Sequence, residues 1–259
     1  YFKDVQIETL EIPGNPDQVD ILMTVVEKPT GNLSLGAGYN TSDKLSFQFG
    51  IKQENIFGSG NYLGIDVNTS KLNRTAILTT IDPYFTQDGV SRTLDAYYRT
   101  TRPTSAIDSD YSLLTIGSSL KFGLPISPTD TIYLGGGIER NKIVDGTNLP
   151  QVYKDYAEQF GSTSDSVPLT IGWSRDDRDS ALTPNSGKLQ RLAAEWSPAG
   201  DVKYVKAVAQ YQQYIPLNKQ FTLAFNGEVN WGKGLSGNPF PVFKNSYSGG
   251  LGSVRGFES

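Results

Sequence analysis

Three aspartates that lie close together in the sequence, Asp176, Asp177 and Asp179, are the residues whose type and spacing most suggest chemistry. Carboxylate oxygens are the ligands that hard cations such as Ca²⁺ prefer, so the cluster could form a metal site. Arg175 and Arg178 are interleaved with the aspartates, however, and guanidinium groups in these positions favour ion pairs in a solvated turn. We therefore predict a self-neutralising turn here and no metal site.

Other chemistry is limited by composition, because the sequence contains no cysteine and no histidine. This excludes disulfide frameworks, cysteine nucleophiles, zinc sites of the usual Cys/His kind and histidine general bases. No nucleophile–base pair and no convincing pair of acids is visible, so we predict that the protein is not an enzyme and has no cofactor. The formal net charge is −4, which lacks the positive surface expected of a nucleic-acid-binding protein.

The last stretch of the sequence, residues 249–259, combines a glycine-rich backbone with one fixed positive charge, Arg255. It reads Gly-Gly-Leu-Gly-Ser-Val-Arg-Gly-Phe-Glu-Ser. Glycine allows backbone angles that are closed to other residues, so this segment can fold tightly against a wall. A solvated glycine-serine loop is the alternative interpretation.

The elements that must position these residues are β-strands, because apolar and polar residues alternate with a period of two from Gly31 onward. We count about eleven such strands of about ten residues, which fits tilted crossings of a bilayer better than a soluble β-sandwich. Aromatic residues cluster near strand ends, as in interfacial girdles. Four cations in predicted strands, Lys52, Arg99, Lys121 and Lys206, fall on the polar side of the alternation. The pattern predicts an all-β fold, an antiparallel transmembrane β-barrel with its apolar face toward lipid.

Residues 1–29 follow a different pattern from the rest of the chain. Two predicted strands, in residues 2–8 and 19–27, are joined by a region rich in proline, glycine and asparagine. The second strand is close to a continuous apolar run, as in a strand that is covered on both faces. Taken alone, this segment predicts a β-hairpin that ends at the Lys-Pro-Thr-Gly of residues 28–31.

Three motifs resemble those of a known family. Val254, Arg255, Gly256 and Phe257 resemble the VRGF motif of the BamA family of outer-membrane β-barrel assembly factors, where it lies on a long loop folded into the barrel. Residues 82–90 are similar to the family's turn between strands four and five, and residues 172–179 to its turn between strands eight and nine. The resemblance spans essentially the whole chain.

The resemblance implies two parts. Residues 1–29 would be the last two strands of a periplasmic POTRA domain, and residues 30–259 a transmembrane β-barrel that ends in the long inward-folded VRGF loop. A complete barrel of the family has sixteen strands, an even number as in other bacterial barrels, so this barrel would be incomplete. Because an open sheet exposes unpaired backbone groups to lipid, we expect that Ser259 is not the natural end of the protein.

The resemblance also implies a function: the core subunit of the bacterial outer-membrane assembly machinery, which folds and inserts β-barrel proteins through a lateral seam. The seam would lie at the first barrel strand, whose implied site residues are Leu33, Ser34, Leu35, Gly36, Ala37 and Gly38. Each glycine weakens a strand by about 0.5–1 kcal/mol relative to alanine, so the pairing of this strand should be soft. Glycines that only make room for the loop inside the barrel are the alternative.

The implied partners are unfolded outer-membrane β-barrel clients, the accessory lipoproteins of the assembly machinery and outer-membrane lipid. The family's acidic partners for the motif arginine lie on later strands, which leaves Glu228 as a candidate lumen partner of Arg255. The expected location is the bacterial outer membrane, with the N-terminal segment in the periplasm. Two other functions stay open, a translocator of the TamA or two-partner secretion type and a passive porin.

Overall fold

The computed structural model describes residues 2–14, 18–40, 44–102, 111–144, 149–218 and 220–246. Strands dominate these residues, and one α-helix, α1, spans Gln151–Phe160. In chain order the strands are β1 Phe2–Glu11, β2 Val19–Glu27, β3 Gly31–Asn40, β4 Lys44–Gln53, β5 Tyr62–Thr69, β6 Asn73–Asp82, β7 Ser91–Thr101, β8 Ser112–Pro125, β9 Asp130–Val144, β10 Thr163–Ser166, β11 Leu169–Asp176, β12 Gly187–Ser197, β13 Tyr204–Pro216 and β14 Thr222–Gly234.

One antiparallel sheet runs from β3 to β14, and along it each strand pairs with its neighbours in the chain. The short β10 is the exception, because it pairs with the end of β9 and lies off this path. Eleven strands lie on the path, which confirms the number predicted from the alternation. Within the described residues, β1 and β2 form a separate two-stranded sheet, the predicted hairpin. The assignment of residues 1–29 to a POTRA domain stays a prediction.

The two ends of the large sheet differ. We call one end of the sheet the loop end. There β9 stops at Val144 and β14 at Gly234, and α1 and β10 follow β9 in the chain. At the opposite end, which we call the turn end, the connections are residues 54–61, 83–90, 126–129, 177–186 and 217–221. The two turns that resemble family turns are therefore on the same end of the sheet.

The register across the strands separates a polar face from an apolar face. One row of cross-strand partners is polar; it contains Gln48, Asn68, Thr75, Arg99, Thr115 and Asn141. The next row is apolar from β4 to β8, where it contains Phe49, Val67, Ala76, Tyr98 and Ile116, and it ends on β9 at Arg140 near the loop end. The large apolar side chains of the second face are exposed, as with Leu35 at 75% and Val229 at 68%. A face of this kind suits lipid, and the predicted barrel fold is confirmed.

The buried apolar residues lie mainly at the loop end. Tyr153 and Tyr156 of α1 pack in a cluster with Tyr111, Ile143 and Val242. The helix falls within the long connection between β9 and β11, and its two buried tyrosines explain why it stays attached to the sheet. Within the described residues, no helix is long and apolar enough to cross a membrane.

Candidate functional site

After β14 ends, the chain turns back onto the polar face of the sheet. We call residues 235–246 the entry segment. The ring of Phe240 meets Tyr204 of β13 edge to face, with 5.9 Å between ring centroids. Pro241 is fully buried, and Val242 is only 6% exposed. Lys206 Nζ donates a hydrogen bond to the carbonyl oxygen of Lys244 at 3.3 Å. The entry segment therefore lies inside the curved sheet, on the side opposite to the apolar face.

A buried group of charges joins the entry segment to the wall. Lys244 Nζ lies 2.8 Å from Glu139 Oε1 and 3.3 Å from Glu195 Oε1. Tyr97 Oη donates to Glu139 Oε2 at 2.8 Å, and Tyr204 Oη donates to Glu195 Oε1 at 2.6 Å. We call these five residues the interior cluster. They connect four strands, β7, β9, β12 and β13, with the entry segment.

The interior cluster is a largely buried network of ion pairs and hydrogen bonds. The side chains of Lys244 and Glu139 are only 14% and 10% exposed, so each charge depends on its partners instead of water. Removing one partner of a buried ion pair typically costs about 3–5 kcal/mol, because the other charge is left uncompensated. The two carboxylates of the cluster share one ammonium group, and each accepts a hydrogen bond from one phenol. The cluster is suited to holding a chain segment in place.

The aspartate cluster singled out in the sequence forms part of a turn at the turn end. Asp176 accepts two hydrogen bonds from the guanidinium group of Arg178, both at 2.8 Å, so the expected internal neutralisation is present. Arg175 takes no part in the neutralisation of this turn, because its Nε and Nη2 atoms donate hydrogen bonds to Asp130 of β9, both at 2.9 Å. In the part of the chain that the structure describes, no group of His, Cys, Asp and Glu is arranged to hold a metal ion.

The third aspartate, Asp179, orders the turn itself. Its Oδ1 atom accepts hydrogen bonds from the backbone N–H groups of Asn185 at 2.9 Å and Ser186 at 3.2 Å. These bonds stabilise the carboxylate and lower the pKa of Asp179 from its ordinary value. The residue therefore closes a long turn rather than binding a ligand.

The predicted seam strand is at one end of the large sheet. Within the described residues, β3 pairs with β4 only, and its other edge has no strand beside it. Gly36 lies opposite Gln48, and a Cβ atom built at Gly36 would be 3.6 Å from the Gln48 Cβ, an ordinary contact. At Gly38 a Cβ atom would be 3.1 Å from the rotatable Ser46 Oγ. Packing against β4 therefore does not require glycine at position 36.

The predicted loop motif, Val254, Arg255, Gly256 and Phe257, lies outside the described residues, so its contact with Glu228 stays a prediction. Glu228 is on the polar face of β14, opposite Gln210. Its side chain is exposed and accepts a hydrogen bond from Asn230 Nδ2 at 2.7 Å.

Sequence reasoning missed the interior cluster. The alternation predicts that Glu139 and Glu195 face inward, but it does not identify their partner. The signal for Lys244 is its place directly after the run Pro-Phe-Pro-Val-Phe, where a lone charge is unusual. That signal would have marked the residue without showing which carboxylates it contacts.

The fold and the site define a class of protein. A long antiparallel sheet with an apolar outer face, a polar inner face and a chain segment held inside belongs to the transmembrane β-barrels that carry an interior loop. A family model described as the Omp85 superfamily domain matches residues 55–259, and the chain belongs to this superfamily.

Relatives narrow this further. The chain is 34% identical to the outer membrane protein assembly factor BamA of Neisseria meningitidis over 271 residues, which cover 100% of the chain and 34% of the relative. Its identity to the BamA of Nitratidesulfovibrio vulgaris is 28% over 264 residues, which cover 100% of the chain and 32% of the relative. The chain thus spans about a third of the length of these curated relatives.

A solved structure agrees with this similarity. The crystal structure of BamA from Haemophilus ducreyi lacking POTRA domains 1–3 matches 99% of the chain and 51% of that protein, with a TM-score of 0.83 and 26% identity. The chain therefore has a BamA-type barrel fold, and together with its relatives this places it in the outer membrane of Gram-negative bacteria.

Proposed function

We propose that this chain belongs to the core subunit of the outer-membrane β-barrel assembly machinery, which folds and inserts β-barrel proteins into the bacterial outer membrane. The observation that carries the proposal is the agreement with the BamA crystal structure over 99% of the chain. Relatives whose names describe them as assembly factors support it. The proposed function requires no covalent chemistry, because folding and insertion of a client consist of forming backbone hydrogen bonds and burying the client strands in lipid.

The mechanism begins at β3, whose outer edge would pair with the strand that closes the barrel and become free when the seam opens. An edge strand presents a row of unpaired N–H and C=O groups, to which an unfolded client can add a strand by β-augmentation. Main-chain hydrogen bonds do not depend on the client's side chains, so one edge can serve many clients. Gly36 and Gly38 favour opening of the strand, because each weakens it by about 0.5–1 kcal/mol relative to alanine.

The remaining parts follow from the same proposal. Residues 1–29 contribute the last two strands of a POTRA domain in the periplasm, which makes the turn end periplasmic and the loop end extracellular. The loop with residues 254–257 continues inward from the entry segment, and Arg255 has Glu228 as one candidate partner. Clients, accessory lipoproteins and outer-membrane lipid are the proposed partners. The buried entry segment disfavours a passive porin, which needs an open lumen.

A disulfide lock tests the seam in the full-length protein, and the absence of native cysteine in this sequence keeps the design simple. An Ala37→Cys variant would be crosslinked to a cysteine in the strand that closes the barrel. We expect oxidation to abolish client folding in proteoliposomes and reduction to restore it.

The control is a lock between two strands that stay paired. Leu35 and Phe49 are register partners on β3 and β4, so a Leu35→Cys, Phe49→Cys variant should fold clients normally after oxidation. Undiminished client folding in the locked Ala37→Cys protein would contradict the proposed mechanism.

A further inference from the structure

We propose that Lys244 is the positioning residue of the interior loop: it fixes the entry segment against the inner wall and thereby sets where the chain leading to residues 254–257 begins. The inference deepens the proposed function, since its consequence for client folding rests on that function. The position of the entry segment itself can be tested independently.

Lys244 bridges two strands of the inner wall that are not neighbours in the sheet. Glu139 belongs to β9 and Glu195 to β12, and β11 lies between these strands in the sheet. Lys244 Nζ contacts both carboxylates, at 2.8 Å and 3.3 Å. An ammonium group has three donors on a flexible stem, so one lysine can serve two carboxylates that are not neighbours.

The same residue is also held through its backbone. Lys206 Nζ donates to the Lys244 carbonyl oxygen at 3.3 Å, so a second lysine from β13 fixes the main chain at the point where the side chain leaves it. The side chain of Lys244 additionally lies over the ring of Tyr204, with Nζ 5.5 Å from the ring centroid. These contacts determine both the position and the direction of the segment at residue 244.

The two glutamates make departure of Lys244 unfavourable. Tyr97 and Tyr204 each donate one hydrogen bond to them, but phenols are neutral and do not compensate the charges. Without Lys244 the inner wall would hold two carboxylates close together, and Glu139 is nearly buried. Like charges in such a place are strongly disfavoured. The apolar contacts of Phe240 and Val242 would remain, but they hold the segment at residues 240 and 242 and do not replace the ion pairs at residue 244.

Distance measurements by double electron–electron resonance test the proposal in the full-length protein. Spin labels at Ser246→Cys and at Gln48→Cys, on the polar face of β4, report the position of the entry segment relative to the wall. We expect one narrow distance distribution in the otherwise unchanged protein and in Lys244→Arg. Lys244→Met should give a broad distribution, with at least a twofold greater width.

The matched control is Lys121→Met. Lys121 is another inward lysine that pairs with a carboxylate, Asp95 at 3.4 Å, but it makes no contact with the entry segment. Its removal should leave the distribution narrow. If Lys244→Met does not fold, Lys244→Met combined with Glu139→Gln and Glu195→Gln decides, because this triple variant leaves no uncompensated carboxylate at the entry segment and should fold with a broad distribution.

The outcomes separate the two proposals. An unchanged narrow distribution in Lys244→Met, or in the folded triple variant where Lys244→Met does not fold, would overturn the positioning role whatever the activity. Two results together would support the positioning role and its effect on client folding. Lys244→Met should give a broad distribution and fold clients several-fold more slowly, whereas Lys244→Arg should give a narrow distribution and fold clients normally. A broad distance distribution with undiminished client folding would show that the position of the entry segment does not affect client folding. The disulfide lock at β3 would still test the proposed function itself.

Discussion

Removal of one oxygen atom from Tyr204 is the sharpest test of the energetics of the interior cluster. The residue is completely buried, and its Oη atom donates a hydrogen bond to Glu195 at 2.6 Å. A hydrogen bond to a charged group contributes about 1.5–3 kcal/mol. Glu195 keeps Lys244 at 3.3 Å in a Tyr204→Phe variant, so we expect a loss near the lower limit, about 1.5 kcal/mol.

A larger truncation separates the hydroxyl group from the ring. Tyr204→Ala also removes the edge-to-face contact with Phe240 and leaves a cavity, so its total cost should reach about 3–5 kcal/mol. The control is Tyr98→Phe on the apolar face. Tyr98 is 43% exposed, and its hydroxyl accepts one 3.3 Å hydrogen bond from Thr100 among the described residues, so the change should stay within about 0.5 kcal/mol.

Urea unfolding in lipid vesicles, followed by tryptophan fluorescence, measures these differences. A double-mutant cycle with Glu195→Gln should give a coupling free energy of about 1 kcal/mol or more between the two side chains. If Tyr204→Phe is as stable as the unchanged protein and the cycle shows no coupling, the hydrogen bond does not stabilise the wall, and the reasoning about the interior cluster is wrong.

Two further predictions concern the turn end and the two faces. Asp179→Asn should lower stability at pH 7 and have a smaller effect as the pH falls below about 3.8: the folded-state pKa lies below the unfolded value near 3.8, so the contribution of Asp179 is complete above that value and is lost as the pH falls through the folded pKa. Urea unfolding over a series of pH values from 7 downward checks this, and a loss that does not shrink with falling pH would contradict it. Leu120→Lys on the apolar face of β8 should cost about 2–4 kcal/mol in vesicles. Ser119→Lys on the polar face, next to Asp95, should cost less than about 1 kcal/mol, and similar costs for both would refute the assignment of the faces.

Most of the fold could be predicted from the sequence, because a barrel strand records its environment locally. Each residue of β4 or β8 faces either lipid or the interior, and the alternation of Phe47 with Gln48, or of Leu120 with Ser119, reports this without knowledge of any other strand. Strand number and the position of the turns follow from the same pattern. The turn around Asp176 was also predictable, since its main ion-pair partner, Arg178, is two residues away.

The candidate site was less predictable, because its contacts join residues that are distant in the sequence. Lys244 meets carboxylates 105 and 49 positions earlier, on strands that the alternation treats independently. Arg175 shows the same limit on a smaller scale: its neighbours in sequence are acidic, yet it pairs with Asp130 across the sheet because those two residues are register partners. Only the register of the folded sheet provides this information.

The buried contacts of the wall are concentrated on one part of the sheet. Within the described residues, all the buried apolar side chains lie between Tyr111 and Val242, on or next to the strands from β8 to β13 or in the entry segment. Every described side chain of β3 is exposed, and so are most of those of β14, as expected of the two strands that end the described sheet. The interior cluster joins the entry segment to strands inside the sheet and does not involve β3. If the proposed seam lies at β3, it can open without breaking the contacts of Lys244, because Glu139 and Glu195 lie on β9 and β12, far along the sheet from β3.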